Sequence, residues 1–471
     1  MTAPTDPAAT SPALARTIAE FVQELTIEEV PETVLLVAKQ HALDALGIAV
    51  ASSGMDFGAS VHRAARRLGT SDESRAIGFG TSMPAPSAAL VNGTLIHGLD
   101  FDDTHIGAIY HATAPALAAA LAIGEAEQAD GATVLLALVI GIEVGCRLAA
   151  AGAGEFHARG FHPTAIVGTF AAACVTAKIR GLDAEQTTNA LGLCGSQAAG
   201  ILELHDSWLK RMHPGWAAHA GTVAATLAEE GFRGPATVFE GPGGLYPSHL
   251  GHTPTAGTLG LDHLGTRWMT AEIALKPYPC CHFIHAFADA ALALLDELGV
   301  ERLSAEEVAG IECPTAPAVI PMVTMPVEQK IAPTTIYDAL FSVQYVVASA
   351  LSTRRVDLAS FYDEPLDDPA VLAMAAKVVC PPDEKSDFPT HFPGEVAVQL
   401  ADGQSLRRRI PASYGTPENP MSETDVTAKF MSNAARRLPG EQAQQLAKAV
   451  EQLDQLDRIS PILDACTAAA P

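Results

Sequence analysis

A chain of 471 residues is longer than one hydrophobic core usually sustains, so two domains, or one domain with a large insertion, is the first expectation. Hydrophobic residues make up 48% and charged residues only 18%, which implies that much surface is hidden in a core or a subunit interface. The formal net charge of -25 is relieved by no basic stripe interleaved with aromatics, which excludes nucleic acid and anionic membrane surfaces as expected partners.

The first residues, MTAPTDPAATSPALARTIAEF, carry no basic segment followed by an apolar one, and a cytoplasmic location is expected. From Pro12 to about Phe239 apolar residues recur at helical spacing, with Ala-rich runs such as PALAAALAIGEAEQADG and GTFAAACVTAKIRG. Pro31 in EEVPETVLL suits a first helical turn. The most apolar run, Val134 to Ile142, meets Glu143 before it reaches membrane-spanning length.

Gly, Pro and Thr then crowd Glu240 to Gly265 and mark a connection. Beyond it the texture is α+β. Ser304-Ala-Glu-Glu reads as a helix start and VAGIECP as a short strand. GEVAVQLADGQSLRRRIP reads as two strands around an Asp402-Gly403 turn, with Val396, Val398 and Leu400 facing inward. After Pro411 helical periodicity returns, and these last helices are expected to rejoin the first region. The eight cysteines are scattered without a CxxC pair and read as buried thiols, with Cys280 and Cys281 set apart by their surroundings.

Four segments concentrate chemistry. HGLDFDDTHIGAIYH, His97 to His111, holds three histidines and three aspartates. On a helix His97, Asp100 and Thr104 would share a face. These are metal-ligand residue types, but the spacing lacks an HExxH or paired-cysteine pattern, so acid/base use ranks above metal binding and no metal is expected. In GFHPTAIVGTFAAA, Pro163-Thr164 opens a helix and leaves His162 at its positive end, where it can bind a carboxylate or merely cap. WLKRMHPGWAAHAG places Lys210, Arg211 and His213 before a Pro-Gly break, a candidate anion clamp in a chain with nine lysines. Arg211 otherwise reads as a surface ion-pair partner and His219 as a satisfied core histidine. ALKPYPCCHFIHAFADA brings Lys276, Cys281, His282 and His285 to the change of texture, with Pro277 and Pro279 enforcing an extended strand that leads into a helix.

Together these segments, with FSVQYVVASAL and NPMSETDVTAKF, resemble the MmgE/PrpD family, which includes 2-methylcitrate dehydratase, cis-aconitate decarboxylase and iminodisuccinate epimerase. The resemblance runs from about Leu14 to the last helices. It implies a mainly α protein, with a large all-helical domain formed by both chain ends and a smaller α+β lid domain inserted between them. The expected parts are residues 1–266, 267–412 and 413–471. It also implies a homodimer, catalysis without cofactor, and a small di- or tricarboxylate as substrate. Asp100, Thr104, His111, His162, Lys210 and Lys276 match the family's site. Where the decarboxylases carry a histidine five residues after the lid lysine, this chain has Cys281, as the epimerase does. Leu340 stands where many members carry Lys or Arg.

The expected reaction is dehydration by proton abstraction next to a carboxylate, ahead of epimerisation and then decarboxylation. Asp100, Thr104, His111, Lys210, Lys276 and Cys281 are the expected catalytic residues. His162, Arg211, His213, Lys276 and His282 are expected to bind substrate. In this scheme His111 transfers the proton, and Lys210 or His213 protonates the departing hydroxyl. Two other classes remain: a metal-dependent hydrolase built on His97 to His111, and a non-catalytic polycarboxylate binder.

Overall fold

The computed structural model describes residues 13–204 and 207–468; the expected helical region begins at Pro12, just outside them. Helices dominate. The long ones in the first part are α1 (Leu14–Glu24), α2 (Glu32–Ser52), α3 (Asp56–Leu68), α4 (Ala85–Ile96), α5 (Thr113–Ala126), α6 (Gly131–Ala150), α7 (Pro163–Arg180), α8 (Ala184–Cys194) and α9 (Leu209–Glu229). Pro31 sits one residue before α2 at its cap rather than within its first turn.

Small residues let these helices touch backbone to backbone. A Cβ added to Gly93 in α4 would lie 2.7 Å from the Gly215 Cα in α9, so neither position admits a larger residue without displacing a helix. This close crossing sets the start of α9 against the chain that leaves α4, which is where Lys210 and His97 to His111 meet.

The apolar run around Val134 does not stop at Glu143. Helix α6 continues through it to Ala150, so α6 and α2 are both long and apolar enough to cross a membrane by length and composition, with 89% and 67% of their most apolar windows buried in the fold. Glu143 is accommodated because its carboxylate accepts from Met269 N at 3.0 Å, Thr270 N at 2.8 Å and Thr270 Oγ1 at 2.7 Å. A buried carboxylate needs such donors to be tolerated.

The segment from Glu240 to Gly265 is more ordered than a bare connection. It contains short helices at Leu245–Leu250 and Ala256–Leu259, and Tyr246 and Leu250 are fully buried in the helical core. No strand forms at Pro277 to Pro279 either; a turn of 3-10 helix at His282–Ile284 leads straight into α10 (His285–Leu298).

The strands form one two-stranded ladder and one four-stranded sheet. Residues Ser74–Arg75 (β1) and Ser82–Met83 (β2) make a small antiparallel ladder. The main sheet is built from β3 (Val308–Glu312), β4 (Val378–Val379), β5 (Gly394–Leu400) and β6 (Ser405–Ile410). Their order is β4-β3-β5-β6. Strand β5 pairs antiparallel with both β3 and β6, and β3 runs parallel to β4. The expected turn joins β5 to β6, with Gly403 at φ 96° supplying the left-handed residue. Val396 and Val398 are buried while Leu400 is only half-buried. Helices α10 and α11 (Val343–Thr353) cover the sheet region with apolar side chains.

The buried apolar residues form two main clusters. One runs from Ala15 to Ile273 and resumes from Phe430 to Ala468, taking in α12 (Glu423–Ala434) and α13 (Gly440–Glu451). The other is built from Cys280 to Leu406.

Candidate active site

A cavity of about 460 Å³ opens between the two clusters. Its lining includes Asp100, Thr104, His111, His162, Lys210 and Lys276. It also includes Cys281, His282, Phe341 and Phe392, with Met322, Met325 and Lys330.

The segment from His97 to His111 is not helical. Helix α4 ends at Ile96, and the chain then takes a loop in which Asp100 (φ 52°) and Ile109 (φ 51°) adopt left-handed backbone. Aspartate tolerates that conformation, whereas a β-branched isoleucine there is strained. The expected shared helical face of Asp100 and Thr104 is therefore replaced by a fixed loop. Thr104 is tied by reciprocal main-chain bonds of 2.9 Å to Ala274, which brings Lys276 under the loop.

Asp100 is the hub. Its Oδ1 accepts from Lys210 Nζ and lies 3.4 Å from Lys276 Nζ, while its main-chain oxygen accepts from Lys276 at 2.8 Å. Burial alone would raise the Asp100 carboxyl, but the two ammonium groups outweigh it and hold the group well below the usual carboxylate range. Asp100 Oδ2 and Thr104 Oγ1 are buried without a partner among the described residues.

His111 donates from Nδ1 to the Asp103 main-chain oxygen at 2.7 Å, which leaves Nε2 as the unprotonated nitrogen of the neutral ring. Burial, reinforced by His97, Lys210 and Lys276, pushes its pKa well below the ordinary histidine value. His162 occupies the N-cap of α7 as expected, and its Nδ1 meets His213 Nδ1 at 2.9 Å. Burial, with His213 adding to it, also keeps His162 neutral.

The remaining polar residues of the loop hold it in place. His97 donates to Asp102 Oδ2 at 2.7 Å, and Asp103 Oδ2 accepts from His41 at 2.7 Å and from Thr113 Oγ1. One nitrogen from each of His97, His111 and His162 lies within 4.8 Å of the others, a spacing that a metal ion would accept after modest closure.

Several predicted residues lie elsewhere. Arg211 turns away from the cavity, donating to the Gly98 main-chain oxygen at 2.7 Å and stacking over Phe57 at 4.9 Å. His213 stands behind His162, outside the cavity wall, with its pKa lowered to about 4 by burial. His219 is satisfied by Pro86 O at 2.9 Å. Cys281 and His282 do line the cavity; burial pushes the Cys281 thiol up to about 11 and the His282 imidazole down to about 3. His285 is fully buried behind them against Cys280 O.

Sequence reasoning passed over Lys330, Tyr337 and His157, all of which line the cavity. The rarity of lysine, already used for Lys210 and Lys276, was a signal that pointed equally to Lys330. Leu340 is buried in the second cluster, and its main-chain oxygen accepts from Cys281 N at 2.9 Å.

Comparison with known proteins gives two matching family descriptions, the MmgE/PrpD N-terminal domain over residues 16–257 and the MmgE/PrpD C-terminal domain over residues 278–455. The cis-aconitate decarboxylase of Homo sapiens is 30% identical over 390 residues, covering 80% of this chain and 78% of that one. The Mus musculus enzyme of the same name is 27% identical, over 94% of this chain and 91% of its own. A cis-aconitate decarboxylase-like protein, oryM, of Aspergillus oryzae is 26% identical over 95% of both chains.

Proposed function

The chain belongs to the MmgE/PrpD family, and on that premise we propose that it is a lyase of small di- or tricarboxylates that works by removing a proton next to a carboxylate, most simply as a dehydratase. The observation that carries this reading is the meeting of Asp100, Lys210, Lys276 and His111 in one cavity. Removing such a proton places negative charge on the adjoining carboxylate. Preorganised cations at that position supply the largest catalytic effect in comparable sites.

In this reading Lys276 and Lys210 receive the carboxylate beside the reacting carbon, and Thr104 and His162 donate to it. Neutral His111 takes the proton on Nε2. The leaving hydroxyl is protonated by Lys210, since His213 lies behind the wall. A low-pKa imidazole beside an ammonium group makes a base and an acid, which is the pair that dehydration requires. Epimerisation requires two bases, and a Cys281 thiol raised to about 11 is protonated at neutral pH.

Decarboxylation is the second reading, favoured by the names of the relatives. There carbon dioxide leaves instead of a proton, and the Cys281 thiol serves as donor to the resulting carbanion. Proton NMR of the purified protein in deuterated water, with citrate-like, tartrate-like and aspartate-like acids, separates the readings. New vinylic signals with loss of water support dehydration; a lost carboxylate with carbon dioxide release supports decarboxylation. Exchange of deuterium without net conversion marks an epimerase, and neither exchange nor conversion with any acid overturns the lyase reading.

A further inference from the structure

We propose that Lys330 forms a second carboxylate subsite on the lid side of the cavity, which takes a carboxylate remote from the reacting carbon and so selects substrates with at least two acid groups. The proposal extends the reading above by naming what the far end of the substrate must carry. It stands on an imbalance of charge among the cavity lysines.

Lys330 lies on the short helix Val327–Ile331, lines the cavity, and is only 7% exposed. Among the described residues its ammonium donates to one acceptor, the Phe341 main-chain oxygen at 2.6 Å. An ammonium has three donors. Among the described residues no carboxylate lies within ion-pair distance of it, whereas Lys210 and Lys276 share Asp100. Lys429, the other deeply buried lysine, shows what a purely structural one looks like: it is paired with Asp44 at 2.7 Å, bonded to Phe101 O at 2.9 Å and seated on the Phe101 ring. Asp338 lines the same cavity and acts on Lys330 through space but lies beyond ion-pair distance, and burying a charge without an opposite one in contact is costly. A lysine that is buried, unpaired and turned to a ligand cavity is matched when the ligand brings the anion.

The position is built, not incidental. Ser342 Oγ donates to the Lys330 main-chain oxygen at 2.6 Å while Lys330 Nζ donates to Phe341 O, so the helix and the start of α11 are bonded in both directions. Tyr337 lines the cavity beside them, its ring stacked on Phe341 with centroids 4.6 Å apart. The cation is thus delivered from ten residues upstream of Leu340, whose own side chain is apolar and buried.

Binding of unreactive acids tests the subsite apart from catalysis. Isothermal titration of the full chain with glutarate, and with its monoamide, which keeps a single carboxylate, should show the amide binding at least tenfold more weakly. Lys330→Met should lose at least tenfold in affinity for the diacid and bind diacid and amide alike, and Lys330→Arg should restore part of the difference. Equal binding of the two ligands to the wild-type protein overturns the subsite, and needs no variant to be folded. A Lys330→Met loss that is the same for both ligands also overturns it, because the lysine would then be acting on the lid as a whole. If the discrimination is found but no acid is turned over, the subsite stands and the lyase reading falls.

Discussion

Lys276 donates to the Asp100 main-chain oxygen at 2.8 Å across a sequence separation of 176 residues, and the same ammonium lies 3.4 Å from the Asp100 carboxylate. Lys276 thereby supports the unusual backbone of Asp100 and, with Lys210, its charge. Replacing Lys276 with Met removes the cation expected to receive the developing negative charge. The expected loss is about 100-fold to 1,000-fold in kcat. Asp100→Asn keeps a residue that tolerates left-handed backbone and the main-chain oxygen that Lys276 bonds, but takes the carboxylate charge away from both lysines, and should lower kcat/KM by a similar factor. Steady-state kinetics checks both, and wild-type rates in Lys276→Met would remove the lysine from the mechanism.

His111 sets the acid side of the pH profile. Burial and the neighbouring cations lower its pKa well below the ordinary value near 6.5, so it stays neutral and able to accept a proton as the pH falls through that value. The plot of log kcat/KM against pH should remain flat through pH 6.5 and descend only at clearly lower pH. An acid limb centred at 6.5 or above would assign the base to some other group. His111→Asn should reduce kcat by roughly 100-fold to 10,000-fold.

The three imidazoles of His97, His111 and His162 are close enough to invite a test of metal dependence. With Lys210 and Lys276 supplying the positive charge, turnover should survive prolonged EDTA treatment and gel filtration at its full rate. Loss of activity with chelator, restored by zinc or manganese, would favour a metal-dependent reaction on the same histidines.

Residue types and spacing made the main ingredients of the site legible, because histidines, aspartates and lysines cluster against an Ala-rich background. Direction was harder to read. Lys210 and Arg211 are neighbours at the start of α9, and consecutive residues on a helix do not share a face. Lys210 therefore meets Asp100 in the cavity while Arg211 is carried round to Phe57. The loop from His97 to His111 was misread as helix because its course depends on two left-handed residues, one of them Ile109, which no local preference announces. Lys330 was missed for another reason: nothing in PVEQKIAP marks its lysine as buried, and only the packing of the helix against α11 brings it to the cavity. The hairpin of β5 and β6, by contrast, follows from the two-residue spacing of Val396 and Val398 and from a turn residue, and both were readable locally.

Glu143 offers a test of the fold independent of catalysis. It interrupts the most apolar stretch of the chain, and burial raises its pKa even though Thr270, Met269 and Arg147 oppose the shift. Its two carboxylate oxygens satisfy two main-chain N–H groups and one hydroxyl at the 269–270 turn, so they hold α6 to the segment that leads into Lys276. Glu143→Leu would suit the surrounding core by hydrophobicity but leave those donors buried without acceptors. It should destabilise the protein by about 3 kcal/mol. Glu143→Gln keeps one acceptor oxygen and should cost about 1 kcal/mol. Chemical denaturation of the two variants gives the comparison. A Leu variant as stable as wild type would mean that the 269–270 turn finds other acceptors, and that Glu143 does not secure the approach to Lys276.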